Sequence, residues 1–310
     1  MTQSHSSSSG VIDVLCAGHA SYDLIFTVPH HPASDEKLFA DDFQAFGGGP
    51  AANAAVLIAR LGLKAAFAGY LGLDLYGERH LQELQEEGVD TRRIVRGQSP
   101  TPISTILVKP DGDRALVNYK GQTVALPADA IDCSAVAAKV MLFDGHEPAL
   151  SLSLAAHARK AGIPTVLDAG SLHDGTRALM GRVDYLVCSE KFAYQYLGDQ
   201  DAAGALDRLS GVAPCVVITL GERGLIWSRE GARGALPAFL IQAVDTTGAG
   251  DAFHGAFTAG IALGLAWQEV LEVSSAAGAL CCMRVGARPG MPTAAEVAAF
   301  RKRFALPGLT

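Results

Sequence analysis

Nine consecutive residues, Asp245-Thr246-Thr247-Gly248-Ala249-Gly250-Asp251-Ala252-Phe253, combine the parts that phosphoryl transfer needs. The two glycines let the backbone turn tightly, so that the amides of Gly248, Ala249 and Gly250 can point at one spot. An apolar-periodic segment follows to about Leu265 and reads as a helix. The amides therefore sit at a helix N-terminus, where the dipole favours negative charge. Asp251 lies beside this anion hole. Amides so placed hold a phosphate and stabilise its growing charge, while the carboxylate takes the proton of an attacking hydroxyl. The same dipole is expected to keep Asp251 ionised near neutral pH.

A second glycine cluster lies upstream, at Phe46-Gly47-Gly48-Gly49-Pro50-Ala51-Ala52-Asn53-Ala54-Ala55, running on to Ala59-Arg60-Leu61-Gly62. A triple glycine that opens a helix of small residues is backbone a ligand can approach closely, and Asn53 offers a donor and an acceptor on the helix face. Further motifs are Gly72-Leu73-Asp74 with Gly77, Gly88-Val89-Asp90, Asp111-Gly112-Asp113-Arg114, Thr219-Leu220-Gly221-Glu222-Arg223-Gly224 and Gly286-Ala287-Arg288-Pro289-Gly290. In order and spacing, over about residues 11 to 305, these segments resemble the ribokinase-like (PfkB) family of carbohydrate kinases.

The resemblance implies an ATP-dependent kinase for a sugar hydroxyl, with Asp251 as base and Gly248, Ala249 and Gly250 as anion hole. On the substrate side it implies that Asp23 accepts sugar hydroxyls, as a carboxylate suits a vicinal diol, with Gly48, Gly49 and Asn53 beside it. On the nucleotide side it places Thr219, Gly221 and Gly224 at phosphate and ribose, and Ser275 near the purine. Asp245 and Thr247, with carbonyls near Cys281, Arg284 and Gly286, match the family's monovalent-cation loop, so potassium would order the anion hole. Mg²⁺ is expected with ATP because it neutralises the phosphates. Many relatives carry Asn-x-x-Glu where this chain has Ser189-Glu190-Lys191-Phe192; Glu190 either helps to position magnesium through water or caps a helix.

In motif detail the chain is similar to sulfofructose kinases and, more distantly, ketohexokinases. Lys37 and Asn118 fall where sulfofructose kinases reach a sulfonate, and His146 stands where their third anion ligand, an arginine, is expected. Imidazole is a poor substitute for a fixed guanidinium, which leaves a neutral ketose such as fructose beside sulfofructose. The alternatives are a nucleoside kinase of the same fold, stacking a base on Phe26 or Phe39, and a non-catalytic sugar-binding relative. The second would have lost Asp251 or the glycines, and both are present. A dinucleotide-dependent dehydrogenase needs GxGxxG directly after the first strand, and Gly18-His19-Ala20 lacks it.

The chain has 310 residues, 49% hydrophobic and 18% charged, ample for a core that needs no staples. A net charge of −7 with no basic cluster argues against nucleic-acid or membrane-surface partners. No apolar run reaches the ~20 residues of a spanning helix. The six cysteines show no metal or CxxC spacing and read as reduced thiols of a cytoplasmic protein. Residues 1–10, polar and serine-rich, read as a disordered tail.

These motifs need a frame. Val11 to Ala17 reads as a buried strand, Ala51 to Leu61 as a helix, Ala65 to Tyr70 as a strand, and Gly77 to Glu87 as a helix stopped by Gly88. Thr101–Val108 and Ala115–Tyr119 alternate about Asp111-Gly112 as a hairpin, and Trp227 and Phe239 bracket another. From Ala125 onward strands and helices alternate. The expected fold is α/β: a doubly wound, Rossmann-like parallel sheet flanked by helices over residues 11–305, with a small β lid from about 24–46 and 100–121. Asp23, Asp144, Asp168 and Ser189 fall at or just past apolar runs, where such sheets place a ligand. The open lid edge suggests a homodimer through the lid strands.

Overall fold

The computed structural model describes residues 11–110 and 112–304. The expected tail, Asp111 of the hairpin turn and residue 305 lie outside the described residues. Short apolar runs form the strands of the central sheet: β1 (Ile12–Ala17), β4 (Ala65–Gly72), β5 (Asp90–Gly97), β8 (Ala138–Phe143), β9 (Thr165–Ala169), β10 (Tyr185–Ser189), β11 (Cys215–Thr219), β12 (Leu225–Arg229) and β13 (Ala232–Leu236). Their order is β13-β12-β11-β10-β9-β8-β1-β4-β5. Pairing is parallel from β11 through to β5, and antiparallel only at β11–β12 and β12–β13.

Period-2 burial feeds two helical layers. In β8, Met141 and Phe143 enter the core under α3 (Pro148–Ala161), α4 (Asp174–Leu179), α5 (Glu190–Leu197) and α6 (Ala202–Leu209). Val140 and Leu142 point to the opposite face, under α1 (Pro50–Arg60), α2 (Leu75–Glu86), α7 (Ala249–Leu263) and α8 (Trp267–Cys281). Two further helices, α9 (Ala287–Gly290) and α10 (Ala294–Arg303), close the described chain.

Strand order reverses between β1 and β8, so a crevice opens past their carboxyl ends. A second sheet stands over it, ordered β3 (Asp42–Gly48), β2 (Ser21–Thr27), β6 (Ile103–Val108) and β7 (Arg114–Tyr119). This is the expected lid, held by the small apolar cluster of Ile25, Ile106 and Val108. No described helix is long and apolar enough to cross a membrane.

Two details differ from the sequence reading. Strand β5 was not expected, because its Asp-Thr-Arg-Arg-Ile-Val-Arg-Gly lacks an apolar run; as an edge strand it is half-buried apart from the exposed Arg92 and keeps its arginines paired, with Arg96 bonding the Leu71 and Gly72 carbonyls. Trp227 lies inside the last hairpin, paired with Gly234, rather than before it.

Candidate active site

Asp251 occupies the first turn of α7, whose N-cap, Gly248, has φ +79°. A Cβ on Gly248 would lie 2.5 Å from the Ala287 Cβ, so only glycine makes this turn. The Ala249 N–H turns back to the Thr246 carbonyl at 3.3 Å, while helix geometry leaves those of Gly250 and Asp251 without an intrahelical partner. Of the three expected anion-hole residues, Ala249 thus has its amide engaged by the turn. At the side-chain position of Gly250 the nearest atom outside the helix backbone is His254 Nδ1, 4.0 Å from where a Cβ would lie.

The two glycine motifs meet at the base: Asn53, on α1, donates Nδ2–H to Asp251 Oδ2 at 2.7 Å across 198 residues. Burial pushes the Asp251 carboxyl above its usual range, the Asn53 hydrogen bond and His254 pull it down, and Asp23 and Asp144 push it up again. Burial thus works against the lowering that the sequence alone suggested for this acid. Beneath it, His254 Nδ1 lies 2.6 Å from the Gly250 carbonyl and 3.3 Å from Asp168 Oδ2, and Nε2 lies 3.1 Å from the Val187 carbonyl. Burial raises Asp168 well above the usual carboxylate range and lowers His254.

On the lid side Asp23 is buried, accepts from Ser21 Oγ at 3.0 Å, and is pushed up by desolvation. Asp23, Ser104 and Asn118 stand in one cross-strand row, so the lid does align Asn118 with the expected sugar ligand. The glycines are dictated by close approach. A Cβ on Gly48 would fall 2.1 Å from Asp23 Oδ2, one on Gly47 2.3 Å from the His80 ring, and Gly49 combines φ +98° with the His19 carbonyl at 2.4 Å.

His146 lines a recess with His19, Tyr70, Lys120, Thr123 and Glu147. Its ring stacks on His173 at 4.8 Å and tilts against His19 at 5.3 Å. Burial lowers His19 to about 4 and raises Glu147 to about 7. Lys37 does not join them; it is exposed in the loop before β3, with Nζ 5.9 Å from the exposed Phe39 ring. The cation of the recess is Lys120, just past the end of β7, which the sequence reading missed because only the pairing of the lid strands brings it there.

Asp144, at the end of β8, ties the crevice together. It accepts from the backbone of His19 at 2.7 Å, Ala51 at 3.2 Å and His146 at 2.9 Å. A second network was also invisible in sequence. Arg288, in α9 and 4% exposed, donates Nε–H to Asn53 Oδ1 at 3.3 Å and Nη2–H to His80 Nε2 at 3.1 Å. Its Nη1 lies 3.6 Å from Glu83 Oε2, which accepts the Gly47 N–H at 2.7 Å. The available signal was an arginine amid small residues in the Gly286–Gly290 motif.

On the expected nucleotide side, Thr219 ends β11 with Oγ1 3.4 Å from the Cys188 carbonyl, and Ser275 is half-buried on α8. Gly221 (φ +59°) faces open space; Gly224 (φ +89°) is packed, as its Cβ would meet the Leu236 carbonyl at 2.0 Å. Glu190 opens α5 after the N-cap Ser189, pairs with Arg223 and accepts from Tyr194 Oη at 3.2 Å. The two expected cation loops do converge. Asp245 Oδ1 accepts the Thr247 N–H (2.8 Å) and Oγ1–H (2.7 Å), and Oδ2 accepts the Gly286 N–H at 2.7 Å. Cys281 Sγ lies 3.5 Å from the Thr247 carbonyl, its own carbonyl accepts the Arg284 N–H at 3.3 Å, and the Arg284 side chain turns out to Glu296. Each of these oxygens that takes a single hydrogen bond, Asp245 Oδ2 and the Thr247 and Cys281 carbonyls, keeps a second lone pair. Among the described residues no three His, Cys, Asp or Glu side chains gather as a metal cage.

The profile of the pfkB family carbohydrate kinases matches residues 11–294. A ribokinase of Haemophilus influenzae is 29% identical over 91% of this chain and 96% of its own. The ATP-dependent ribose-1-phosphate kinase of Halopiger xanaduensis is 30% identical over 94% and 98%. The structure of an Arabidopsis thaliana ribokinase complexed with ribose and ATP superposes with a TM-score of 0.82, covering 94% of this chain and 99% of that one at 24% identity, a likeness of fold. This chain belongs to the pfkB family of carbohydrate kinases and is a sugar kinase.

Proposed function

We propose that the chain transfers the γ-phosphoryl group of ATP to a primary hydroxyl of a ketose or ketose derivative, such as fructose or sulfofructose. The observation that carries the transfer step is the 2.7 Å contact of Asn53 with Asp251, which joins the sugar-side and phosphate-side glycine motifs at one carboxylate. Asn53 occupies Oδ2 and leaves Oδ1 to accept the hydroxyl proton. The hydroxyl oxygen then bonds to the γ-phosphorus as the bridging bond to the β-phosphate breaks, and ADP leaves. The Gly250 and Asp251 amides, at the positive end of α7, face the charge on the transferring group. Asp23, Gly48 and Asn53 hold the sugar. Thr219, Gly221, Gly224, Ser275 and Glu190 form the nucleotide side. Magnesium brought with ATP would supply positive charge to the phosphate oxygens on this side. Potassium would sit between the 245–247 and 281–286 loops, on their carbonyls, and brace the anion hole.

Ketose preference rests on the likeness of Gly47–Ala52, Thr246–Gly255 and Gly286–Pro292 to ketohexokinase and sulfofructose kinase motifs, and on the polar recess of His19, Lys120, His146 and Glu147 beside the lid. A nucleoside acceptor draws no support from the two rings that could stack a base. Phe26 packs on Phe43 at 4.8 Å, and Phe39 is 80% exposed. The test is ADP release with Mg-ATP and potassium across fructose, sulfofructose, ribose, keto-deoxy sugar acids, ketose phosphates and adenosine. A ketose should turn over fastest, and Asp251→Asn should lower kcat by at least about 1,000-fold. Turnover of adenosine alone, or full activity in the variant, rejects this reading.

A further inference from the structure

The Asn53 side chain is symmetric in outline, and its use depends on which end faces the base. Ionised, Asp251 can only accept, so it needs the Nδ2 end. Arg288 can only donate, and its Nε–H meets the other end, Oδ1, at 3.3 Å. We propose that Arg288 is a positioning residue for the transfer step: it fixes the Asn53 amide so that Nδ2 always points at Asp251. This rests on the reading of Asp251 as base.

Three features make the device specific. First, Arg288 is itself oriented. His80, fully buried, has its titration pushed well below the usual histidine range by desolvation and by Arg288, so its ring is neutral, and because a guanidinium can only donate, the Nε2 that faces Nη2–H at 3.1 Å is its accepting nitrogen. Second, the guanidinium has counter-charge without surrendering Nε: Glu83 stands 3.6 Å from Nη1, and Glu87, which also attracts it, is taken by Arg60. Third, its backbone is held where it must be. The Arg288 and Met291 carbonyls accept from Arg60 Nη1 at 3.1 and 2.6 Å, and the Gly286 N–H anchors the segment to Asp245. A planar fork can serve Asn53 and His80 together; a lysine ammonium in its place cannot reach both in one geometry. Chained donors also polarise one another, so a bond from a guanidinium to Oδ1 makes Nδ2 a better donor to Asp251.

Two measurements on the full chain decide it. The first needs no sugar: exchange of the Asn53 side-chain amide protons, followed by ¹⁵N NMR and assigned by their loss in Asn53→Ala. Slow exchange in the native protein that speeds up about tenfold or more in Arg288→Met and in Arg288→Lys supports the proposal. Unchanged exchange in either folded variant overturns it. Arg288→Lys keeps a charge beside Glu83, so one variant remains folded if loss of the buried cation is not tolerated.

The second uses Mg-ATP with the best acceptor of the panel. Arg288→Lys should lower kcat about 100-fold with little change in KM for ATP, and should have little further effect in an Asn53→Ala background. An equal fold-loss in both backgrounds means that Arg288 acts elsewhere, and overturns the proposal. Full activity in Asp251→Asn would remove the base reading instead, while the exchange measurement would still report on Arg288 and Asn53.

Discussion

Asp144 Oδ2 lies 2.7 Å from the backbone nitrogen of His19, across 125 residues and across the line where strand order reverses. The same carboxylate takes the Ala51 and His146 amides, and a Cβ on Gly18 would fall 2.1 Å from it. Its work is to close the floor of the crevice with acceptor atoms that no backbone group there supplies.

Asp144→Ala should therefore strand three backbone donors, one of them buried and two part-buried, and lower stability by about 2–4 kcal/mol. Urea unfolding followed by far-UV circular dichroism measures this. A loss below about 1 kcal/mol would mean that water or local shifts replace the carboxylate.

Gly48→Ala tests the sugar side separately. Its new methyl would overlap Asp23, so the carboxylate must move. The KM for sugar should rise about 10- to 100-fold, with ATP affinity unchanged, as the loss of a hydrogen bond to a charged group predicts. An equal weakening of both ligands would point to a disturbed α1 instead.

Glu147 gives a pH-dependent prediction. Burial raises its folded-state value to about 7 from an ordinary 4.5, although the Leu126 N–H bonds it at 2.5 Å. Between those two values the folded chain binds the proton more tightly than the unfolded chain, so this group removes stability as pH rises from about 4.5 to about 7 and removes no more above that. Glu147→Gln should thus be more stable than the parent at pH 8, on the order of 2 kcal/mol, with the gap vanishing toward pH 4.5. Paired melting curves at the two pH values settle the sign.

The lid edge predicts association. Strand β7 and the segment after it expose Leu116, Val117, Tyr119 and Val124 by 48–78%. An open apolar edge of this kind is covered in most soluble proteins. Sedimentation at micromolar concentration should give a dimer, and Val117→Asp a monomer; a monomeric parent removes the idea.

What the sequence made legible is what repeats locally. Continuous apolar runs showed six strands of the central sheet, and alternation showed the lid hairpin, because burial is written in residue type. Glycines showed the turn at Gly248 and the close approach at Gly48, since each excludes a side chain. Strand β5 was missed because an edge strand need not be apolar. Arg288, His80 and Glu83 were missed for a different reason: their partners lie tens to hundreds of residues away, and no local pattern marks a polar side chain that will be enclosed and satisfied. Lys37 shows the converse, since a matching position in a loop did not bring the side chain to His146.

Lid and helix are joined by almost nothing. Strand β3 ends at Gly48 and α1 begins at Pro50, with Gly49 between them at φ +98°. Four residues past that single joint, with its N–H on the Gly49 carbonyl at 2.9 Å, stands Asn53. The lid strand and the helix that carries Asn53 thus share Gly49 as their one connecting residue. A Cβ there would fall 2.4 Å from the His19 carbonyl, so any side chain would push lid and helix out of the register that sets Asn53 against Asp251.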